Sequence, residues 1–201
     1  TVRAPFKTSL EDINRFVLSK SGWIKKHTDG DSRIPLTYNE RKFTDGEIFL
    51  FLGREYRLQR THSEISRVWL NEDSILTGQA DPEDSLMTRH LVSGWYAMKA
   101  REILPERLKE IIRIHSQAGF RPARLTVRSM KSRWGSCSTG GRISLNSELV
   151  KLSPEIIDYV IIHELCHLKH HNHGPGFYDL LSELLPGYKL IRKELRKYHI
   201  C

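Results

Sequence analysis

Five of the chain's ten histidines fall between residues 163 and 173, in the run HELCHLKHHNH, and a glutamate stands directly beside the first of them. Imidazole is a good donor to zinc, and a carboxylate next to a metal site is suited to proton transfer. His163 and His167 are four residues apart, so on a helix they lie one above the other on one face. Two imidazoles so placed can share one ion at Zn–N distances of roughly 2.0–2.1 Å. Glu164 lies about 100° around the helix from His163. It is badly placed to ligate the same ion and well placed to hydrogen-bond a water on it, which is the mechanical content of H-E-x-x-H.

A catalytic zinc needs three protein ligands and an open position. His170 and His171 stand roughly 10–12 Å beyond His163 along a straight helix, too far to share the ion. The third ligand must come from chain that leaves the helix and folds back. His173, next to Gly174-Pro175-Gly176, is the candidate, and Glu183 is the alternative. Asn172 is expected to supply a left-handed exit from the helix. His170 and His171 are read as exposed or as supporting the ligands, and Cys166 as packed on the helix's apolar side. Three imidazoles predict Zn2+ as the cofactor.

The elements that must hold these groups follow from patterning. Ser153-Pro154-Glu155 starts a helix that carries EIIDYVIIHELCHLKHH, apolar nearly throughout before His163, as a buried helix should be. FYDLLSELL and YKLIRKELRKYH are two further helices, parted by Pro186-Gly187. Upstream, ARLTVRSM and GRISLN are short strands flanking a polar turn, KSRWGSCSTG. A long helix is capped by Asp81, opens on Pro82, is kinked or divided at Pro105, runs to about Gln117 and stops at Gly119. GEIFLFLGREYRLQRTH reads as a hairpin about Gly53-Arg54, and ISRVWL with SILTG as a second about Asn71-Glu72-Asp73. Together they predict a small antiparallel sheet over residues 47–77. Residues 8–26 read as a helix with Ser9 and Asp12 as a capping box, Trp23 in the core and Lys25-Lys26 solvated, followed by a loop over 27–42. The organisation expected is an N-terminal helix plus β-hairpin region, 1–80, and a larger domain, 81–201.

Composition narrows the setting. With 201 residues, 39% of them hydrophobic, the chain can bury a sizeable core. No run approaches the ~18 apolar residues of a membrane span, and TVRAPFKTSLED lacks the apolar region of a secretion signal. Three cysteines, Cys137, Cys166 and Cys201, do not make a disulfide framework, so a cytoplasmic setting is expected. The net charge of +8 permits a nucleic-acid partner without requiring one, because the basic residues are spread along the chain, with modest clusters at 121–133 and 189–197.

The segment SRWGSCSTGGRISLNSELVKLSPEIIDYVIIHELCHLKHHNHGPGFYDLL resembles the YgjP-like metallopeptidase family. Its WGSC turn, the strand ending in L-N, Y-V-I-x-H-E-L-x-H-L and N-H-x-x-x-F are all present. SKSGWIKKH, LGREYRLQ and WYAMKAREILPERL extend the likeness over most of the chain. The resemblance implies an α+β, zincin-like metallopeptidase domain. Its active-site helix packs near a small antiparallel sheet, and a small β-rich N-terminal region precedes it. His163, His167 and His173 would be the ligands and Glu164 the general base. A more distant similarity to SprT-like proteases is visible. The metzincin pattern is not met, since His170 stands where those enzymes have Gly and no Met-turn follows.

The function expected is a zinc-dependent metallopeptidase acting on a peptide or protein substrate through a metal-bound water activated by Glu164. Arg133, Trp134, Ser136 and Cys137 would border the cleft, on a strand edge able to pair with extended substrate. Two alternatives are a nucleic-acid-associated protease of SprT-like type and a zinc-stabilised scaffold without activity. Glu164 argues against the scaffold, because a closed four-ligand site has no use for a base.

Overall fold

The computed structural model describes residues 8–20, 34–35 and 41–200. The chain has two compact units, Thr1–Arg33 and Ile34–Cys201. In the first, helix α1 (Leu10–Ser19) is capped by Ser9, whose hydroxyl accepts from the Asp12 N–H at 3.1 Å and donates to the Asp12 carboxylate at 2.7 Å. The cap is the one expected, although the carboxylate takes the hydroxyl rather than the Ser9 N–H. The predicted continuation of the helix to residue 26, with Trp23 and Lys25-Lys26, lies outside the described residues, as does most of the loop predicted over 27–42.

The second unit opens with β1 (Ile34–Pro35), which pairs in parallel with the last strand, β9 (Tyr198–His199). Strands β2 (Ile48–Phe51), β3 (Arg54–His62), β4 (Arg67–Leu70) and β5 (Ser74–Gln79) form a sheet in the order β2-β3-β5-β4. Both predicted hairpin turns are present, but the sheet is mixed rather than antiparallel, because β3 and β5 run parallel. Turn residues and alternation report only which neighbours in sequence reverse direction. Here the link after β3 carries β4 one place further out, and β5 fills the slot. Gly78 permits the crossing, since a Cβ there would lie 2.9 Å from Ser63 Cβ.

Helix α2 (Ser85–Ile114) is unbroken through Pro105, where a kink or division was expected. The proline removes one intrahelical hydrogen bond. Leu104 and Leu108, buried on the same face as Val92, Tyr96, Ala100 and Ile111, hold the helix against the core across that position. The N-cap is Asp84, which accepts from the Met87 N–H at 2.9 Å, and not Asp81, which closes a turn onto the Glu83 N–H at 2.9 Å. The helix ends at Ile114, and a short 3-10 turn over Ser116–Ala118 follows, closed by Gly119 at φ 63°.

A second sheet, of β6 (Arg124–Arg128), β7 (Gly135–Cys137) and β8 (Arg142–Asn146), has the order β6-β8-β7, with β6 parallel and β7 antiparallel to β8. The expected small antiparallel sheet beside the active-site helix is therefore mixed, and the predicted polar turn contains an edge strand. Three residues, Gly-Ser-Cys, carry no legible alternation. A long-range anchor makes them a strand: the buried Asn146 side chain donates to the carbonyls of Met130 at 2.8 Å and Arg133 at 3.0 Å. That pins the incoming loop against β8.

Helix α3 (Pro154–Cys166) starts at Ser153 with Pro154 in its first turn, and is buried on nearly every side. Helices α4 (Pro175–Leu184) and α5 (Tyr188–Leu195) complete the unit. Ile156, Ile157, Val160, Ile161 and Leu165 of α3 share one core with Leu104 of α2 and Leu145 of β8, each such side chain contributing ~1.5–3 kcal/mol by leaving water. Arg107 clamps α2 to α3 by a two-pronged pair with Asp158, each contact 2.5 Å. No helix among the described residues is long and apolar enough to cross a membrane.

The β2–β3 turn locks the start of α3. Leu52 and Gly53 have φ of 48° and 77°, the left-handed pair of a tight hairpin turn. Their N–H groups donate to Val150 O at 2.8 Å and Lys151 O at 3.2 Å. A Cβ at Gly53 would lie 2.8 Å from Ser153 Cβ. Gly53→Ala is therefore expected to lower stability by about 1–3 kcal/mol. The check is the midpoint of denaturant unfolding, which should fall at an unchanged slope.

Candidate metal centre and cleft

Helix α3 delivers His163 and Glu164 in its last turn. His167 is the C-cap residue and keeps right-handed helical angles (φ −66°, ψ −17°), so the four-residue geometry survives the helix end. The helix stops there instead of continuing to residue 171 as expected. The chain turns through Lys169 and His170, whose N–H groups both donate to Cys166 O, at 3.1 and 2.9 Å. Asn172 does not take the expected left-handed conformation. Among described non-glycine residues only Phe43 and Leu52 have positive φ. The right-handed turn already reverses the chain, and Gly174 leaves it extended (φ −80°, ψ −177°).

The returning loop brings His173 back so that its Nε2 lies 3.1 Å from His163 Nε2. One donor nitrogen from each of His163, His167 and His173 lies within 4.8 Å of the others. Two ligands of one tetrahedral ion at roughly 2.05 Å would stand about 3.3 Å apart, so the spacing fits a zinc-sized ion. The His167 Nδ1–H donates to His170 O at 3.0 Å, which leaves Nε2 with its lone pair free. His170 thus serves through its backbone carbonyl. Burial, then the neighbouring His167 and His173, pull the His163 pKa down to about 3. His173, although more exposed, is also lowered, by partial desolvation of its ring and then by His167 and Arg192. Neutral imidazole is the form that binds metal.

Beneath the three rings lies Phe177, fully buried, with centroid distances of 4.9, 4.7 and 4.7 Å to His163, His167 and His173. It is the floor that sets the spacing of the imidazoles. Its sequence signals are an apolar position four residues after His173, at the start of the next helix, and its place as the last residue of the N-H-x-x-x-F pattern in the family resemblance. Glu183, the rival ligand, is exposed on α4 and is not part of the histidine cluster. Cys166 is fully buried, as expected.

Glu164 is 6% exposed, and burial lifts its pKa to about 8, with the Arg133 charge opposing. Gly135 of β7 lies against it: a Cβ there would come 2.6 Å from Glu164 Oε1. The carboxyl and the three imidazoles open onto a cleft of about 480 Å3. Of the predicted substrate-side residues, Arg133, Ser136 and Cys137 line it, whereas Trp134 packs against the hydrophobic core. Ser132 and Gly135, which sequence reasoning did not assign to the cleft, line it as well, and so does the exposed His171, read from the sequence as exposed or as supporting the ligands. The Cys137 thiol is pushed up by burial and by the Glu164 charge, which disfavours it as a nucleophile.

Because the Gly135 hydrogen occupies the place a methyl would need, Gly135→Ala is expected to displace the Glu164 carboxyl by a few tenths of an ångström or more. A loss of ~10²-fold in turnover, with metal content unchanged and the fold intact, is the expected outcome. Steady-state kinetics beside metal analysis of the same preparation checks it.

A family model described as YgjP-like, metallopeptidase domain, matches residues 1–198. Among solved structures, the chain is similar to the metallopeptidase zymogen abylysin of Pyrococcus abyssi, at 24% identity and a TM-score of 0.42, over 49% of this chain and 100% of that one. It is similar also to the zymogen jannalysin of Methanocaldococcus jannaschii, at 26% identity and a TM-score of 0.39, over 46% of this chain and 91% of that one. No curated protein sequence matches.

Proposed function

This chain belongs to the YgjP-like metallopeptidase family, and on that premise we propose that it hydrolyses peptide bonds with a zinc ion held by His163, His167 and His173, Glu164 being the general base. The observation that carries the reading is the convergence of three imidazole nitrogens within 4.8 Å beside one buried carboxylate, on the wall of an open cleft. Among the described residues no Cys, Asp or Glu joins the three as a further donor, which suits a catalytic rather than a closed structural site.

A divalent cation held there supplies Lewis acidity, lowering the pKa of a coordinated water toward ~7 and polarising a carbonyl oxygen. The chain's own residues do the rest. Glu164 accepts a proton at a carboxylate oxygen from a water in the cleft as that water attacks, and returns it to the leaving amine. Arg133 favours the ionised carboxylate. Strand β7 aligns the substrate. Trp134 O and Ser138 N are bonded across to β8, to Asn146 N at 2.8 Å and Arg142 O at 2.9 Å. Alternation then leaves the backbone groups of Gly135 and Cys137 on the open edge, where an extended peptide can add as a further strand.

The test combines metal analysis of the purified full chain with hydrolysis of a peptide library. One zinc per chain is expected, together with cleavage that a chelator abolishes and added zinc restores. A chain that retains no metal, or that cleaves equally after chelation, would sink the reading.

A further inference from the structure

The described residues hold a second concavity, about 290 Å3, lined by Tyr178, Tyr188, Lys189, Arg192, Lys193 and Arg196. Four of the six are cations and none is an acid. Among the described residues none of these four cations forms a salt bridge; Glu194, the acid of the same helix, pairs with Lys197 at 2.6 Å. Helix α5 gathers them by its own period: Tyr188, Ile191 and Leu195 face the core, and Lys189, Arg192, Lys193 and Arg196 follow at spacings of three and four. Like charges at those spacings repel, so a carboxylate set among them relieves the helix as well as pairing with it.

The pocket adjoins the metal centre. His173 stacks on Tyr178 at 6.2 Å, and Tyr178 on Tyr188 at 6.3 Å with the planes 14° apart. An extended peptide advances ~3.3 Å per residue, so a substrate crossing His173 reaches the cations within about two to four residues. Tyr178 is half-buried between these neighbours and Tyr188 is buried. Among the pocket's lining residues only the half-buried Tyr178 offers a ring to a nucleobase, where single-stranded nucleic acid binding relies on a run of stacking rings. The volume suits one side chain or a chain end. Guanidinium forks match carboxylate geometry.

We propose that this pocket is a subsite for a carboxylate of the peptide substrate, borne by an Asp or Glu side chain or by the C-terminus, about two to four residues from the scissile bond. The placement rests on the peptidase reading above; the carboxylate preference does not.

The test measures binding without turnover. Zinc-loaded full-length protein carrying Glu164→Gln is titrated with four dodecapeptides bearing an uncharged fluorophore. Their centre holds three Glu or three Gln, and their C-terminus is free or amidated. Binding of the Glu peptide over the Gln peptide, or of the free terminus over the amide, by at least about tenfold is expected, and the two arms tell the side chain from the terminus. Adding Arg192→Gln/Arg196→Gln should reduce the preference to about twofold or less, and raising salt should shrink it. If that double variant does not fold, Lys189→Gln/Lys193→Gln, on the exposed side, should lower the preference severalfold. Equal binding of all four peptides overturns the proposal, as does a preference that survives the variants. So does displacement by an oligodeoxynucleotide without any Glu-over-Gln difference, which would assign the cations to nucleic acid. Failure of these titrations leaves the peptidase reading intact. Failure of the wild-type protein to cleave would overturn that reading without touching the preference.

Discussion

Glu164→Gln is expected to keep its zinc and to lose peptide hydrolysis by ~10²–10⁴-fold. The amide copies the shape of the carboxyl, so the space bounded by Gly135 stays filled. It cannot take up a proton, so the step assigned to Glu164 fails while the three imidazoles, which include no atom of Glu164, are untouched. The change should not weaken the fold, because burial already disfavours the charged form at this position. Activity, metal content and melting temperature measured on one preparation separate these effects. Hydrolysis within about threefold of the parent would remove Glu164 from the role of base, whatever the zinc content.

His173→Ala should weaken zinc binding by more than ~100-fold, since groups that merely support metal ligands already contribute ~10–100-fold. The ring projects from the loop between α3 and α4 and is itself exposed, so its loss leaves the core standing. What remains is an imidazole pair on α3, and two donors do not hold a catalytic zinc. Competition with a chromogenic chelator gives the affinity, and the melting temperature of the metal-free protein should move by only a few degrees. Glu183→Ala is the matched control, because that side chain is exposed and outside the cluster. If zinc followed Glu183→Ala and ignored His173→Ala, the ligand set would be wrong.

Much of this centre is legible locally. The His163–His167 spacing is one helical turn, and the angles at His167 preserve it even though the helix ends a turn early. Gly174-Pro175-Gly176 announced a break, but the chain already turns back through Lys169 and His170, by a right-handed turn and without the left-handed Asn172 that was expected, and Gly174 instead caps the start of α4. Trp134 shows the limit. Its position beside Gly135 and Ser136 suggested the cleft, but its side chain packs against the core while Arg133 and Ser136 on either side of it line the cleft.

Residue order by itself determined what depends on neighbours a few positions apart: which imidazoles share a helix face, where α3 begins, which strands turn back on themselves, and the cationic stripe of α5. Only the tertiary structure decided that β5 enters between β3 and β4, that Asn146 pins the loop that becomes β7, that Gly135 lies on Glu164, and that Phe177 underlies the three imidazoles. The reason is physical. Backbone periodicity is set within one turn or one hairpin, whereas these contacts join segments remote along the chain, and close packing of the whole core selects them.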